Sequence, residues 1–189
     1  HVDENLNPIR DIETIETELL IRDMNSVEKR IDKLKNNARF GDKNSNEELA
    51  VLDYIYPIMN EGVMVYDMSL DSNQRNHLHL LSLLTNKPTL YVVNVDEDEM
   101  SSNKRSQTIQ KLFDFAEKRG NSAIRLCGKL EEEISTLDEE EKLFYLEEFN
   151  LTEPGLNKLI HISYSLLDLE TFFTAEKNEV RAWTIINGM

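Results

Sequence analysis

Two short stretches of this 189-residue chain place reactive side chains where an apolar run stops. Asn94 closes the run Leu90, Tyr91, Val92, Val93 and opens onto Val95, Asp96, Glu97, Asp98 and Glu99. A second run, from Ala123 to Cys127, ends at Gly128 and Lys129. An asparagine amide carries an acceptor and two donors, so it can read the mixed edge of a purine, including N7. A glycine at a neighbouring strand end lets a backbone N–H come close to a flat ring. The same residues also fit a loop cap at Asn94 and a turn at Gly128. On residue types alone that plainer reading is favoured.

Other combinations carry less. His77 and His79 stand two apart in an expected helix and point to different faces, so they do not share a metal. His161 has no Cys or paired carboxylate at ligand spacing. Four adjacent acids, Asp96 to Glu99, cannot all converge on one ion, and a solvated loop is the expectation there. Glu139, Glu140 and Glu141 complement the dipole at a helix start. Cys127 has no expected His neighbour to make it a nucleophile. Lys29, Arg30, Lys33, Lys35 and Arg39 form a basic cluster on an acidic chain and can meet RNA. As a bare pattern such a cluster is more often a solvated face.

The elements that must position these residues follow from the periodicity. Asn7-Pro8 opens an amphipathic helix with Ile12, Ile15, Leu19 and Leu20. Met24, Val27, Ile31, Leu34 and Ala38 then recur at steps of three and four, the seam of a coiled coil. Gly41-Asp42 breaks it, and Leu49, Leu52, Tyr56 and Met59 resume it up to Gly62, which predicts an antiparallel helical hairpin. Asp71 with Gln74 predicts a capping box, and Pro88 is expected to stop that helix. Residues 89–93 read as a strand buried on both faces. A helix with Ile109, Leu112, Phe113 and Ala116 follows, closed at Gly120, and residues 123–127 read as a second strand. Strand, helix and strand at this spacing predict a parallel βαβ unit. Two more helices are expected. One runs over residues 138–149, with Thr136 and Glu139 as its capping box; the other starts near Thr152, with Pro154 in its first turn. From Phe172 the period shortens to strand, turn and strand.

The totals bound the function classes. A net charge of −15 excludes a phosphate grip spread over the whole surface, although one element can still be basic. A lone cysteine rules out a disulfide framework within the chain and fits a reducing compartment. No apolar run approaches the roughly 20 residues of a membrane span. The first residue is His1 and not Met, so the chain is expected to begin inside a longer, cytoplasmic protein.

Five segments together resemble the YchF family of Obg-like ATPases, P-loop proteins of the translation-factor class. They are NPIRDIETIETEL (7–19), VEKRIDKLK (27–35), KPTLYVVNVDE (87–97) with NVDE within it (94–97), LDEEEKLFYLEE (137–148) and FFTAEKNEVRAWTI (172–185). The likeness covers nearly the whole chain in order. It implies an α/β fold: the C-terminal part of a P-loop NTPase domain, interrupted by a coiled-coil insertion and followed by the start of a TGS domain. Residues 1–23 would be a helix of the nucleotide-binding domain and 24–70 the hairpin. Residues 71–171 would be the C-terminal part of the nucleotide-binding domain and 172–189 the TGS start.

The resemblance also implies a base-reading motif. Where GTPases carry Asn-Lys-x-Asp, this chain has Asn94-Val95-Asp96-Glu97. Val95 lacks the long lysine stem, and Glu97 is one methylene too long for the bidentate clamp on guanine. The implied outcome is acceptance of ATP in preference to GTP. Asn94 is assigned to the purine edge, Val95 to ring packing or a backbone contact and Glu97 to base selectivity. Cys127, Gly128 and Lys129 stand where Ser-Ala-Lys is commoner. The phosphate loop G-x-x-x-x-G-K-[ST] is absent from these 189 residues, so Mg²⁺ would be bound mainly by residues upstream of His1. The parent protein would be a slow ATPase, met by the ribosome or ribosomal RNA at Lys29, Arg30, Lys33 and Lys35, with no membrane, no DNA and a monomeric state. The alternative is a non-enzymatic helical interaction module of the translation machinery. The turn TAEKNEV lacks the glycine usually found after Thr-Ala.

Overall fold

The computed structural model describes residues 7–38, 42–102 and 104–188. It divides into two units, residues 1–88 and 89–189.

The first unit is helical. Helix α1 (Pro8–Ala38) starts where expected: Asn7 accepts the Arg10 amide on its side chain at 3.3 Å and the Asp11 amide on its carbonyl at 3.1 Å. Proline costs nothing at the first helical position, because its missing N–H would be unpaired there anyway. The helix runs without interruption through Asp23 and Met24. Helix α2 (Lys43–Asn60) is capped by Asp42, which accepts the Ser45 amide at 3.2 Å. Its carboxyl is held below the usual range, chiefly by the Ser45 hydroxyl. After α2 the chain turns at Gly62, whose φ of +89° suits a residue without a Cβ.

Helices α1 and α2 bury their apolar seams in one cluster that includes Val27, Ile31, Leu34, Leu52, Ile55 and Met59. Helix α3 (Ser72–His79) opens with the expected reciprocal bonds between Asp71 and Gln74 and adds Leu78 to the cluster. It ends well before Pro88. Asp23 supplies the reason: its buried carboxylate accepts the Leu84 amide at 3.1 Å, the Thr85 amide at 2.7 Å and the Thr85 hydroxyl at 2.8 Å. Those bonds fix a separate 3₁₀ turn, Leu84–Asn86.

The second unit is α/β. Strand β1 (Leu90–Asn94) and strand β2 (Ser122–Leu126) pair in parallel, with Asn94 opposite Leu126. A parallel pair needs a long crossover, and here it contains α4 (Glu97–Ser101) and α5 (Gln107–Lys118). Helix α5 buries Leu112 and Ala116, packs on β2, and gives way to Gly120 at φ +69°. Three helices follow: α6 (Gly128–Thr136), α7 (Glu139–Glu148) and α8 (Gly155–Leu166). Strands β3 (Leu169–Glu176) and β4 (Glu179–Ile186) form the expected antiparallel hairpin, with Phe172 opposite Trp183.

Four further expectations need correction. β1 is not buried on both faces; Val92 is 45 % exposed, because this sheet has two strands and covers little on its outer side. The acids after Asn94 form the start of α4 and not a solvated loop. The capping box of α7 is Asp138 with Glu141, two residues after the expected pair, since Thr136 still belongs to α6 and donates to the Glu133 carbonyl at 2.8 Å. Helix α8 begins at Gly155, after Pro154. Its first amides are held from α6: the Glu131 carboxylate accepts Gly155 N–H at 2.7 Å and Leu156 N–H at 3.0 Å.

Candidate functional site

The parallel register brings the carboxyl ends of β1 and β2 level. One rung continues past the strands, with the Val95 amide donating to the Leu126 carbonyl at 2.9 Å. The Asn94 side chain then reaches across: its Oδ1 accepts the Gly128 N–H at 3.0 Å. That N–H is one of the donors left without an intrahelical partner at the start of α6. Cys127, at the N-cap position, offers no side-chain bond. Asn94 therefore caps α6 from the neighbouring strand. Its amide NH₂ stays at the exposed strand end, and no described residue accepts from it.

Beyond Asn94 the backbone is held at both ends of α4. Asp96 is the N-cap and accepts the Glu99 amide at 2.8 Å. Glu97, Asp98 and Glu99 fill the first turn, where negative charge is stabilised by the exposed N–H groups. Arg125 closes the other end from β2, donating to the carbonyl of Glu99 at 2.8 Å and to those of Met100 and Ser102 at 3.4–3.5 Å. Glu99 also accepts the Ser106 amide at 2.8 Å. The acid run is thus consumed by one helix, and among the described residues no group of three metal-ligating side chains converges.

Glu97 and Lys129 meet across the strand ends, Nζ to Oε1 at 2.6 Å. The Lys129 ammonium is raised above its ordinary pKa, first by its hydrogen bond to Glu97 and then by the charges of Glu97 and Glu133. Glu133 in turn accepts a short hydrogen bond from the Tyr145 hydroxyl, which pushes the phenol up to about 12. Tyr145 lies 5.2 Å from the Phe149 ring and packs with Val95 on the cluster of Met100, Cys127 and Leu130.

The structure therefore brings Asn94, Glu97, Gly128 and Lys129 together at one sheet end. Val95 and Cys127 belong to the apolar floor beneath them. Arg125, Glu133 and Tyr145 were missed from sequence. A charged residue between Ile124 and Leu126 was the available signal for the first; the other two lie on helices α6 and α7, and α6 itself was not expected.

In the helical unit, Lys29, Lys33 and Lys35 are exposed on α1, interleaved with the exposed acids Glu28 and Asp32. Arg30 is engaged differently. Its guanidinium donates from Nε and Nη2 to the two oxygens of Glu48, both at 2.7 Å, and the Glu48 side chain is only 4 % exposed. Arg39 lies outside the described residues.

A chain with parallel strand ends, an asparagine bridging them and two helix starts beside it has the layout of an open α/β ligand site. Comparison with known proteins places it more closely. No family model matches. The chain is 40 % identical over 189 residues to the ribosome-binding ATPase YchF of Bacillus subtilis, and 39 % identical over 188 residues to those of Pasteurella multocida and Escherichia coli O157:H7. All of this chain is matched, but only 51–52 % of each relative, so it spans about half their length. The structure of the Schizosaccharomyces pombe YchF GTPase superimposes with a TM-score of 0.87 at 28 % identity, over 100 % of this chain and 52 % of that one. Over its whole length the chain is similar to YchF proteins, and the matches support a fragment of one.

Proposed function

We propose that this chain is the base-recognising and partner-docking part of a ribosome-associated nucleotide-binding ATPase that prefers ATP to GTP. The observation that carries the reading is the Asn94 bridge to Gly128. It spends the acceptor of the amide inside the protein and leaves the donor NH₂ facing out, which is the half a purine N7 requires. Glu97, paired with Lys129 at the same strand ends, supports selectivity. It cannot make the two-bond clamp of a shorter Asp on guanine N1–H and the 2-amino group. The triphosphate and its Mg²⁺ would be held by residues outside this chain, which has no phosphate-cradling glycine loop. In this reading the chain supplies no catalytic group for phosphoryl transfer.

The test is calorimetric titration of ATP and GTP into the full-length gene product and its Asn94→Ala variant. Loss of ATP binding by more than tenfold in the variant is the expected result, consistent with removal of a directional hydrogen bond at a site that reads polar edges. Unchanged binding would leave Asn94 a structural cap and favour the interaction-module alternative.

For docking, the basic face of α1 is the proposed contact with ribosomal RNA. Arg30 is an internal strut to Glu48 in this arrangement, so Lys29, Lys33 and Lys35 carry the outward charge. Reversing those three to Glu should weaken co-sedimentation with ribosomes and flatten its salt dependence. Co-sedimentation that does not change would remove the case for this surface.

A further inference from the structure

The base site holds a contradiction that its geometry resolves. Glu97 is the residue proposed to read the base, yet Lys129 occupies its Oε1 at 2.6 Å. A base amino group that uses Glu97 therefore competes with that lysine for the charge of one carboxylate. The side chains of Lys129 and Glu97 are 68 % and 36 % exposed, so water and salt screen the pair and it opens readily. A second seat stands one helical turn along. Glu133 is four residues beyond Lys129 on α6, on the same face of the helix. It is not free to swing, because Tyr145 on α7 donates its hydroxyl to Glu133 Oε2. Tyr145 is itself fixed by Phe149 and by the apolar cluster under the site. Glu133 Oε1 carries no bond from the described residues.

We propose that Glu133, held by Tyr145, is the second carboxylate of Lys129, so that an adenine entering beside Glu97 shifts the lysine along α6 and leaves Glu97 to the base. This rests on the base-site reading above and adds two positioning residues to it. Glu133 acts only through Lys129. A guanine, which Glu97 is misplaced to clamp, leaves the lysine where it is. The pair Glu97 and Glu133 thus makes base selectivity depend on where one ammonium sits.

The experiment is titration of ADP and GDP into the full-length gene product and five variants. Glu133→Gln should weaken ADP binding about threefold and leave GDP binding unchanged, because the binding-competent arrangement becomes rarer for adenine alone. Lys129→Met keeps an apolar stem and frees Glu97, so ADP should bind about threefold tighter, a change in the range expected for an exposed ion pair. In that background Glu133→Gln should have no further effect. Tyr145→Phe, which preserves the ring packing, should reproduce the Glu133→Gln effect more weakly. The proposal is overturned by an Glu133→Gln variant that binds ADP like the parent, by equal losses for ADP and GDP, or by the same loss persisting in the Lys129→Met background. Asn94→Ala run alongside separates the two levels. ADP binding that survives Asn94→Ala sinks the base-site reading itself; loss there with a silent Glu133→Gln sinks only the lysine shift.

Discussion

The two units solve burial differently. In residues 1–88 two long helices and a short one close on each other, and Val27, Leu34, Leu52, Ile55, Met59, Val65 and Leu78 are all at or below 2 % exposure. In residues 89–189 the cluster under the strand ends is built on Met100, Cys127 and Leu130, while Val92, Phe144, Phe173 and Val180 stand 45–79 % exposed. Stability in the first unit comes from apolar packing along a seam. In the second, directional hydrogen bonds set the geometry: Asn94 to Gly128, Arg125 to the end of α4, and Glu131 to the start of α8. A unit that presents polar groups at exposed strand ends cannot bury them, so it fixes them by bonds between elements.

That contrast can be tested by comparing substitutions of the two kinds. Leu52→Ala, at full burial in the helical seam, should cost about 2–5 kcal/mol, the range for a leucine truncation that leaves a cavity. Chemical denaturation checks this; a loss under 1 kcal/mol would mean the seam is loosely packed. Gly155→Ala acts on the other kind of support. A Cβ there would stand 2.7 Å from Glu131 Oε1 and displace the carboxylate from the two amides it caps. The expected cost is about 1 kcal/mol, as for loss of a helix cap. Glu131→Ala should cost about the same, and the double variant no more than either alone.

The smallest effect is electrostatic. Tyr145 is raised to about 12 by its bond to Glu133, so the folded state holds the phenol proton more tightly than the unfolded chain, where tyrosine titrates near 10. Its contribution is complete below about pH 10 and is lost as the pH rises through about 12. A phenolate absorbance titration of the parent minus Tyr145→Phe should show one late step. A step near pH 10 would mean the Glu133 bond is absent in solution.

How much of this was legible depended on which force decided each element. The helical seam was readable because Val27, Ile31 and Leu34 repeat at the helical period and burial follows the period directly. The end of α3 was not, since the carboxylate that fixes the next turn, Asp23, is some 60 residues away in sequence. In the α/β unit the strands and the hairpin were legible to within a residue or a few. Helix α6 escaped because its cap is not Cys127 but Asn94, on another strand. The two possible capping boxes near Thr136 and Asp138 have the same spacing, and only the length of α6 separates them. For the site, the strand-end residues were visible and the second tier was not. Arg125, Glu133 and Tyr145 act through contacts across elements, which spacing along the chain does not encode.

The most direct measurement is an amide chemical-shift map of the full-length gene product with and without ADP. The account predicts the largest changes at Gly128, whose N–H is held by Asn94, and at Val95, Glu97 and Lys129, with smaller changes at Glu133. Nucleotide binding that leaves the amides of residues 94–97 and 127–129 unshifted would contradict it.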